Sequence, residues 1–197
     1  MIAGLILAAG ESRRMGRDKA LLTHHGRTFL ATIINNLGAA GIEKATVVLG
    51  HHAGAIERAV NLAAVRVVVN HDYQRGQTSS LQMGLAAASA DSPEAVILCL
   101  VDHPTISTEV IAELIKHFES TRPPVLIPTY KGERGHPVVI SQTLFPELLA
   151  LPPGQAANVV IRKYREVTQF VEVTDPGILL DVDDPETYER LAECGKQ

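Results

Sequence analysis

Short apolar runs rich in β-branched residues punctuate the chain at Ile2 to Leu7, Ala45 to Leu49, Val65 to Val69, Ala95 to Val101 and Val125 to Ile127. Unbroken apolarity, rather than alternation with polar residues, suits strands buried on both faces. The stretches between them carry apolar positions at helical spacing. They predict helices over Thr28 to Leu37, Ala53 to Leu62, Ser79 to Ala88 and Ser107 to Glu119, with Ser79 and Ser107 as caps. Regular strand–helix alternation predicts an α/β fold, a doubly wound and mostly parallel sheet with helices on both faces.

After Pro128 the pattern changes. A Gly-rich loop leads into a short strand at Pro137 to Ile140, helices near Gln142 to Leu151 and Gln155 to Tyr164, then two further strands and a closing helix. Mixed strand directions are expected there. Pro152-Pro153-Gly154 is flanked on both sides by amphipathic segments, so it reads as a turn between helices and not as a domain linker. A chain of 197 residues without an internal repeat is expected to form a single domain over 1–197, with a core that needs neither disulfides nor a structural metal.

Composition removes several classes of function. Hydrophobic residues make up 46% of the chain, yet no apolar run approaches the ~20 residues of a membrane-spanning helix. The amino terminus lacks the basic region and small-residue cleavage site of a secretory leader. A cytoplasmic protein with no membrane partner is expected. A net charge of −4 and the absence of Trp give no general attraction for nucleic acid. Cys99 and Cys194 form no CxxC pair and read as ordinary reduced thiols.

Basic character is concentrated at residues 13 to 19, directly after the first apolar run. There Leu7-Ala8-Ala9-Gly10-Glu11-Ser12-Arg13-Arg14-Met15-Gly16-Arg17-Asp18-Lys19 combines small residues, which let backbone N–H groups approach a ligand, with hydroxyl, guanidinium and ammonium donors. A charge cluster alone favours a merely solvated loop; the strand exit and the small-residue run shift the reading to a polyphosphate. Two better-known glycine loops do not fit. Gly10 and Gly16 do not make Gly-x-Gly-x-x-Gly, and Gly16 is followed by Arg17-Asp18-Lys19 instead of Lys and Ser or Thr.

The stretch LAAGESRRMGRDK resembles the LAAGxSxRMGxxK signature of MobA/MocA-like nucleotidyltransferases, the group that includes molybdenum cofactor cytidylyltransferase. The resemblance continues in order through Gly76-Gln77-Thr78-Ser79-Ser80-Leu81, Asp102-His103-Pro104, the loop Gly132 to Pro137, and Leu179 to Glu186. It implies the nucleotide-diphospho-sugar transferase type of sheet, transfer of a nucleotidyl group from a nucleoside triphosphate, and release of pyrophosphate. Leu7, Ala8, Ala9, Gly10, Ser12, Arg13, Arg14 and Lys19 would wrap the nucleotide, with Arg14 and Lys19 on its phosphates.

Asp102 closes what should be a central strand, where open α/β sheets place their ligands. Taken alone, Asp-x-Pro reads first as a cap on the following turn. The resemblance makes Asp102 the ligand of Mg²⁺ and, with Arg14 and Lys19, part of the catalytic set. Alternation along a strand would send Asp181 and Asp183 to one face, and Asp181 is chosen as the second carboxylate for the metal. Thr78 and Ser79 serve as helix caps on chemistry alone and border the nucleotide by resemblance. His136 falls on the acceptor side by the same resemblance, and no role is assigned to His103.

The pairs His24-His25 and His51-His52 are read as exposed loop residues, because neighbouring histidines do not share a helix or strand face and no zinc spacing appears. Relatives that transfer cytidylyl groups read LAAG where guanylyl relatives read LAGG. Ala9 therefore implies CTP, with a molybdopterin-type acceptor and a molybdenum-dependent oxidoreductase as client. GTP, a sugar phosphate or another small phosphorylated acceptor, and a non-catalytic cofactor carrier or nucleotide sensor stand as alternatives.

Overall fold

The computed structural model describes residues 1–194. In chain order the strands are β1 (Ile2–Ala8), β2 (Thr23–His24), β3 (Arg27–Thr28), β4 (Ala45–Leu49), β5 (Arg66–Val69), β6 (Ala95–Leu100), β7 (Val125–Tyr130), β8 (Glu133–Arg134), β9 (Val138–Ser141) and β10 (Gln169–Glu172). The helices are α1 (Phe29–Ala39), α2 (Ala53–Ala59), α3 (Gln77–Ala88), α4 (Thr108–Thr121), α5 (Phe145–Leu149), α6 (Asn158–Lys163) and α7 (Pro185–Cys194).

The main sheet runs β10-β7-β9-β6-β1-β4-β5, with β8 added to β7. β1 pairs in parallel with both β4 and β6, β4 with β5, and β10 with β7. β9 is inserted antiparallel between β6 and β7. Every residue of β1 is buried, as its unbroken apolar run predicts for the middle of a sheet covered on both sides. Ile6, Leu30, Ile97 and Leu114 belong to one apolar layer; Leu5, Leu81, Leu85 and Leu144 belong to the other. A smaller cluster of Met15, Leu22, Phe29, Val182 and Leu191 anchors the loop after β1, and so gives Met15 a packing role.

α3 lies unusually close to the sheet. A Cβ on Gly84 would sit 2.4 Å from Leu5 Cδ1 and 2.8 Å from Val48 Cγ2, so only glycine fits at this approach. Ser107 caps α4, accepting the Val110 N–H as predicted. Ser79 does not cap α3: the helix starts two residues earlier with Gly76 at its N-cap, and the Ser79 hydroxyl donates to the Gly76 carbonyl at 2.7 Å. Thr23 to Thr28 forms a small hairpin that apolar periodicity does not reveal.

The end of the chain departs from expectation. Among the described residues β10 is the one strand after β9, and Leu179 to Asp183 is not a strand. Asp175 caps a 3-10 turn over Pro176–Leu179, accepting the Gly177 N–H at 2.7 Å, and an extended segment without strand pairing follows. Backbone hydrogen bonds from His136 N–H to the Ile178 carbonyl (3.0 Å) and from Val182 N–H to the Asp102 carbonyl (2.9 Å) lay this segment across the end of β6. Cys99 is buried in β6, and burial pushes its thiol up to about 12, so it is inert. The Cys194 side chain lies outside the described residues.

Candidate functional site

The site begins where β1 and β6 end side by side, joined by the Val101 N–H and the Leu7 carbonyl at 3.1 Å. The loop leaving β1 is held by its own bonds. Gly16 N–H donates to the Ser12 carbonyl at 3.0 Å, and Lys19 N–H donates to Ser12 Oγ at 3.2 Å. On its outer side His51 N–H donates to the Ala9 carbonyl at 3.1 Å. Gly50 permits that contact, since a Cβ there would lie 2.6 Å from the Ala9 oxygen. The loop is thus clamped between the ends of β1 and β4.

Cations and carboxylates meet beneath it. Lys19 Nζ, in a side chain only 9% exposed, donates to Asp102 Oδ2 at 3.1 Å and to Asp183 Oδ1. Arg14 also donates to Asp183. Burial works against the Lys19 charge, but its bond to Asp183 and the charge of Asp102 outweigh that cost and raise its pKa. The same Lys19 bond holds Asp183 below the usual carboxylate range. Asp181 goes the other way: burial, then the charges of Asp102 and Asp183, raise it.

The residues expected to hold a metal fit one. Asp102 Oδ1 and His103 Nδ1 are buried without a hydrogen-bond partner among the described residues. Asp102, His103 and Asp181 each offer a ligand atom within 4.8 Å of the others. Unpaired buried acceptors of this kind carry a desolvation cost that a cation would relieve.

Two cavities open here. The first, of about 500 Å³, is lined by Ala9, Gly10, Ser12, Arg13, Arg14, Lys19, Asp102 and Asp183. The second, of about 340 Å³, holds Thr78, His136, Gln155 and Asn158. Leu7, Gly76, Gln77 and Leu100 border both. Each volume is in the range of small-molecule sites.

Not every expected residue faces the first cavity. Ala8 is buried in the core layer below it. Arg13 stands on the wall of the first cavity but is engaged by Glu11, and Thr78 turns to the second cavity. Ser79 lines neither and instead accepts a bond from Asn70 Nδ2 at 3.0 Å. Ser80, which also bonds Asn70 at 3.0 Å, takes the place on the wall, together with Tyr73 and Gln74. Asn70 itself is 1% exposed and pins the start of α3 to the end of β5. An Asn directly after a β-branched run was the available signal for it. His136 is driven down to about 4, chiefly by burial and then by His103, whose ring lies 4.7 Å away. Burial also lowers His103.

The second histidine pair is not a free loop element. His51 and His52 stack at 3.7 Å and both present Nδ1 to Asp18, at 3.5 and 3.0 Å. The left-handed backbone of His52 (φ 53°) brings the two rings to one side, which no regular helix or strand would do. His24 and His25 contact each other on the hairpin; His25 lies exposed in its turn, whereas His24 belongs to β2 and is half-buried.

The comparisons agree with this geometry. Residues 4–167 match the family model of the MobA-like NTP transferase domain. The chain is 32% identical to the nicotine blue oxidoreductase of Paenarthrobacter nicotinovorans over 96% of each chain. It is 26% identical to the molybdenum cofactor cytidylyltransferase of Escherichia coli K12, covering 93% of this chain and 92% of that one. The crystal structure of Rv0371c from Mycobacterium tuberculosis H37Rv superposes with a TM-score of 0.86 at 30% identity, covering 98% and 97% of the two chains. A cation-lined loop at the end of β1, carboxylates at the end of β6 and a family model spanning most of the sequence lead to one conclusion: this chain belongs to the MobA-like family of nucleotidyltransferases.

Proposed function

We propose that the protein transfers CMP from CTP to the phosphate of a molybdopterin-type acceptor, releasing pyrophosphate. The observation that carries this reading is the pair of cavities sharing Leu7 and Leu100: one is walled by Arg14, Lys19 and Asp102, the other by His136 and amide side chains. A triphosphate in the first would present its α-phosphorus at the common border, facing an acceptor in the second. The acceptor phosphate is already ionised, so the residues need to position the partners in line and neutralise charge; no strong general base is required.

Arg14 and Lys19 bind the departing pyrophosphate, and the backbone N–H groups of Ala9 and Gly10 approach the triphosphate. Lys19 exchanges part of its carboxylate contact for phosphate as the nucleotide enters. Asp102 and Asp181 would hold the divalent metal, Mg²⁺ by family resemblance, which when bound supplies charge neutralisation on phosphate oxygens. Ala9 lines the first cavity, and its place in the LAAG stretch, by resemblance to cytidylyl-transferring relatives, supports the pyrimidine base.

The relative named an oxidoreductase favours a second reading, in which the same two cavities receive a redox nucleotide and its substrate. Pyrophosphate release separates the two. Purified protein supplied with a divalent metal, molybdopterin and either CTP or GTP is expected to release pyrophosphate with CTP in clear preference. Equal use of GTP overturns the base assignment. Absence of pyrophosphate with either nucleotide, together with oxidation of a reduced nicotinamide, overturns the transfer reading.

A further inference from the structure

We propose that the metal of this site is held by nitrogen as well as oxygen: Asp102, His103 and Asp181 together bind a first-row transition ion, such as Mn²⁺ or Co²⁺, in preference to Mg²⁺. The inference rests on the reading above, in which Asp102 faces the metal that accompanies the nucleotide. It adds a ligand, His103, and with it a metal preference.

His103 is 8% exposed, yet its Nδ1 has no hydrogen-bond partner among the described residues. The neighbouring Asp102 Oδ1 is buried and equally unpartnered. Asp102 divides its work between two oxygens: Oδ2 takes the Lys19 ammonium at 3.1 Å, and Oδ1 is left for another positive group. The ligand atoms of Asp102, His103 and Asp181 lie within 4.8 Å of one another. Bonds of about 2.0–2.2 Å from one ion span that spread with small side-chain rotations.

The backbone is already braced for the purpose. His103 N–H donates to the Leu100 carbonyl at 3.1 Å, making the turn that brings two successive side chains together, and Val182 N–H fixes the Asp102 carbonyl from the opposite segment at 2.9 Å. The His136 ring lies 4.7 Å from that of His103, and its own Nδ1 is likewise without a hydrogen-bond partner among the described residues. Charge points the same way, since Asp102, Asp181 and Asp183 converge on one buried ammonium and the exposed Arg14.

Mg²⁺ demands near-ideal octahedral oxygen coordination and sheds water reluctantly. An imidazole ligand favours transition ions, with affinity rising from Mn²⁺ to Co²⁺. One nitrogen among oxygens therefore tilts the site away from Mg²⁺ without excluding it.

The test is a titration of the metal-free full-length protein with Mn²⁺, followed by electron paramagnetic resonance, with Mg²⁺ and Co²⁺ as competitors. Wild type is expected to bind Mn²⁺ more tightly than Mg²⁺ and to show nitrogen coupling in the pulsed spectrum. His103→Gln should lose that coupling and bind Mn²⁺ at least about 10-fold more weakly, because even outer partners of a metal ligand are worth about 10–100-fold. Its Mg²⁺ affinity should change far less. Asp102→Asn should weaken both metals.

Mn²⁺ bound in an Asp102-dependent manner without nitrogen coupling overturns the inference and leaves nucleotidyl transfer standing with an oxygen-held metal. Coupling that survives His103→Gln but vanishes in Asp18→Asn moves the ion to the His51 and His52 pair and also overturns it. Nitrogen coupling at Asp102 in a protein that releases no pyrophosphate supports the inference while removing the transfer reading. Should His103→Gln fail to fold, the pulsed spectra of wild type, Asp102→Asn and Asp18→Asn still decide.

Discussion

Replacing Lys19 by Met removes the one buried ammonium among three carboxylates while nearly preserving side-chain volume. Breaking a fully buried ion pair from one side costs about 3–5 kcal/mol, because the partner charge is left uncompensated. Asp102 and Asp183 are 24% and 28% exposed, so water recovers part of that, and a loss of about 2 kcal/mol is expected. Urea unfolding followed by circular dichroism measures it. Adding Asp183→Asn in the Lys19→Met background should return about 1 kcal/mol, since one repelling charge is gone and the two sites are in direct contact. On the proposed function, turnover should stay reduced by about 100-fold in both variants, because the second substitution returns stability but not the ammonium proposed to bind phosphate.

The pH dependence has a fixed sign. Lys19 is raised, so its contribution is fully present below its ordinary value of 10.5 and fades as pH climbs through the folded value. Asp183 is lowered, so its contribution is present above 3.8 and fades as pH falls through the folded value. The gap between wild type and Lys19→Met should therefore be flat across neutral pH and close at both extremes. A Lys19→Met protein as stable as wild type at pH 7, or a double variant with no recovery, refutes the electrostatic argument.

Gly84→Ala gains about 1 kcal/mol of helix propensity, but its methyl meets fully buried Leu5 and β-branched Val48; overpacking of about 1–3 kcal/mol should win, and a variant more stable than wild type in thermal unfolding refutes the tight fit. Burial drives His136 down from 6.5 to about 4, so it should remain neutral in the second cavity, and no titration of its ring above pH about 5 should appear by NMR. Because the unfolded chain takes up that proton first, His136 should cost the wild type stability as pH falls from 6.5 towards about 4, and His136→Phe should lack this slope.

The fold's first half is legible because its signals are local. A buried strand announces itself as an unbroken apolar run, and the small-residue exit of β1 marks the loop before any contact is known. The carboxyl-terminal region is less so. Leu179 to Asp183 alternates like a strand, but β6, the strand whose end it crosses, is already paired on both sides with β1 and β9 and cannot receive it. Asp175 and Pro176 set a turn instead. Alternation gives Asp181 and Asp183 one face and cannot separate them, whereas the turn sends Asp183 to Lys19 and leaves Asp181 near Asp102 and His103. Neither the Lys19–Asp183 contact, between residues 164 positions apart, nor the meeting of His51, His52 and Asp18 is written in any local pattern.

The backbone bond between Val182 and Asp102 ties together stretches separated by most of an intervening subdomain's worth of chain. During synthesis the ribosome delivers the Arg14 to Lys19 loop first and Asp102 midway, but the acidic arm that completes the cluster comes near the finish. A nascent polypeptide can thus pair β1, β4, β5 and β6 before the Lys19 ammonium meets Asp183, which makes that contact a late latch on a sheet already formed.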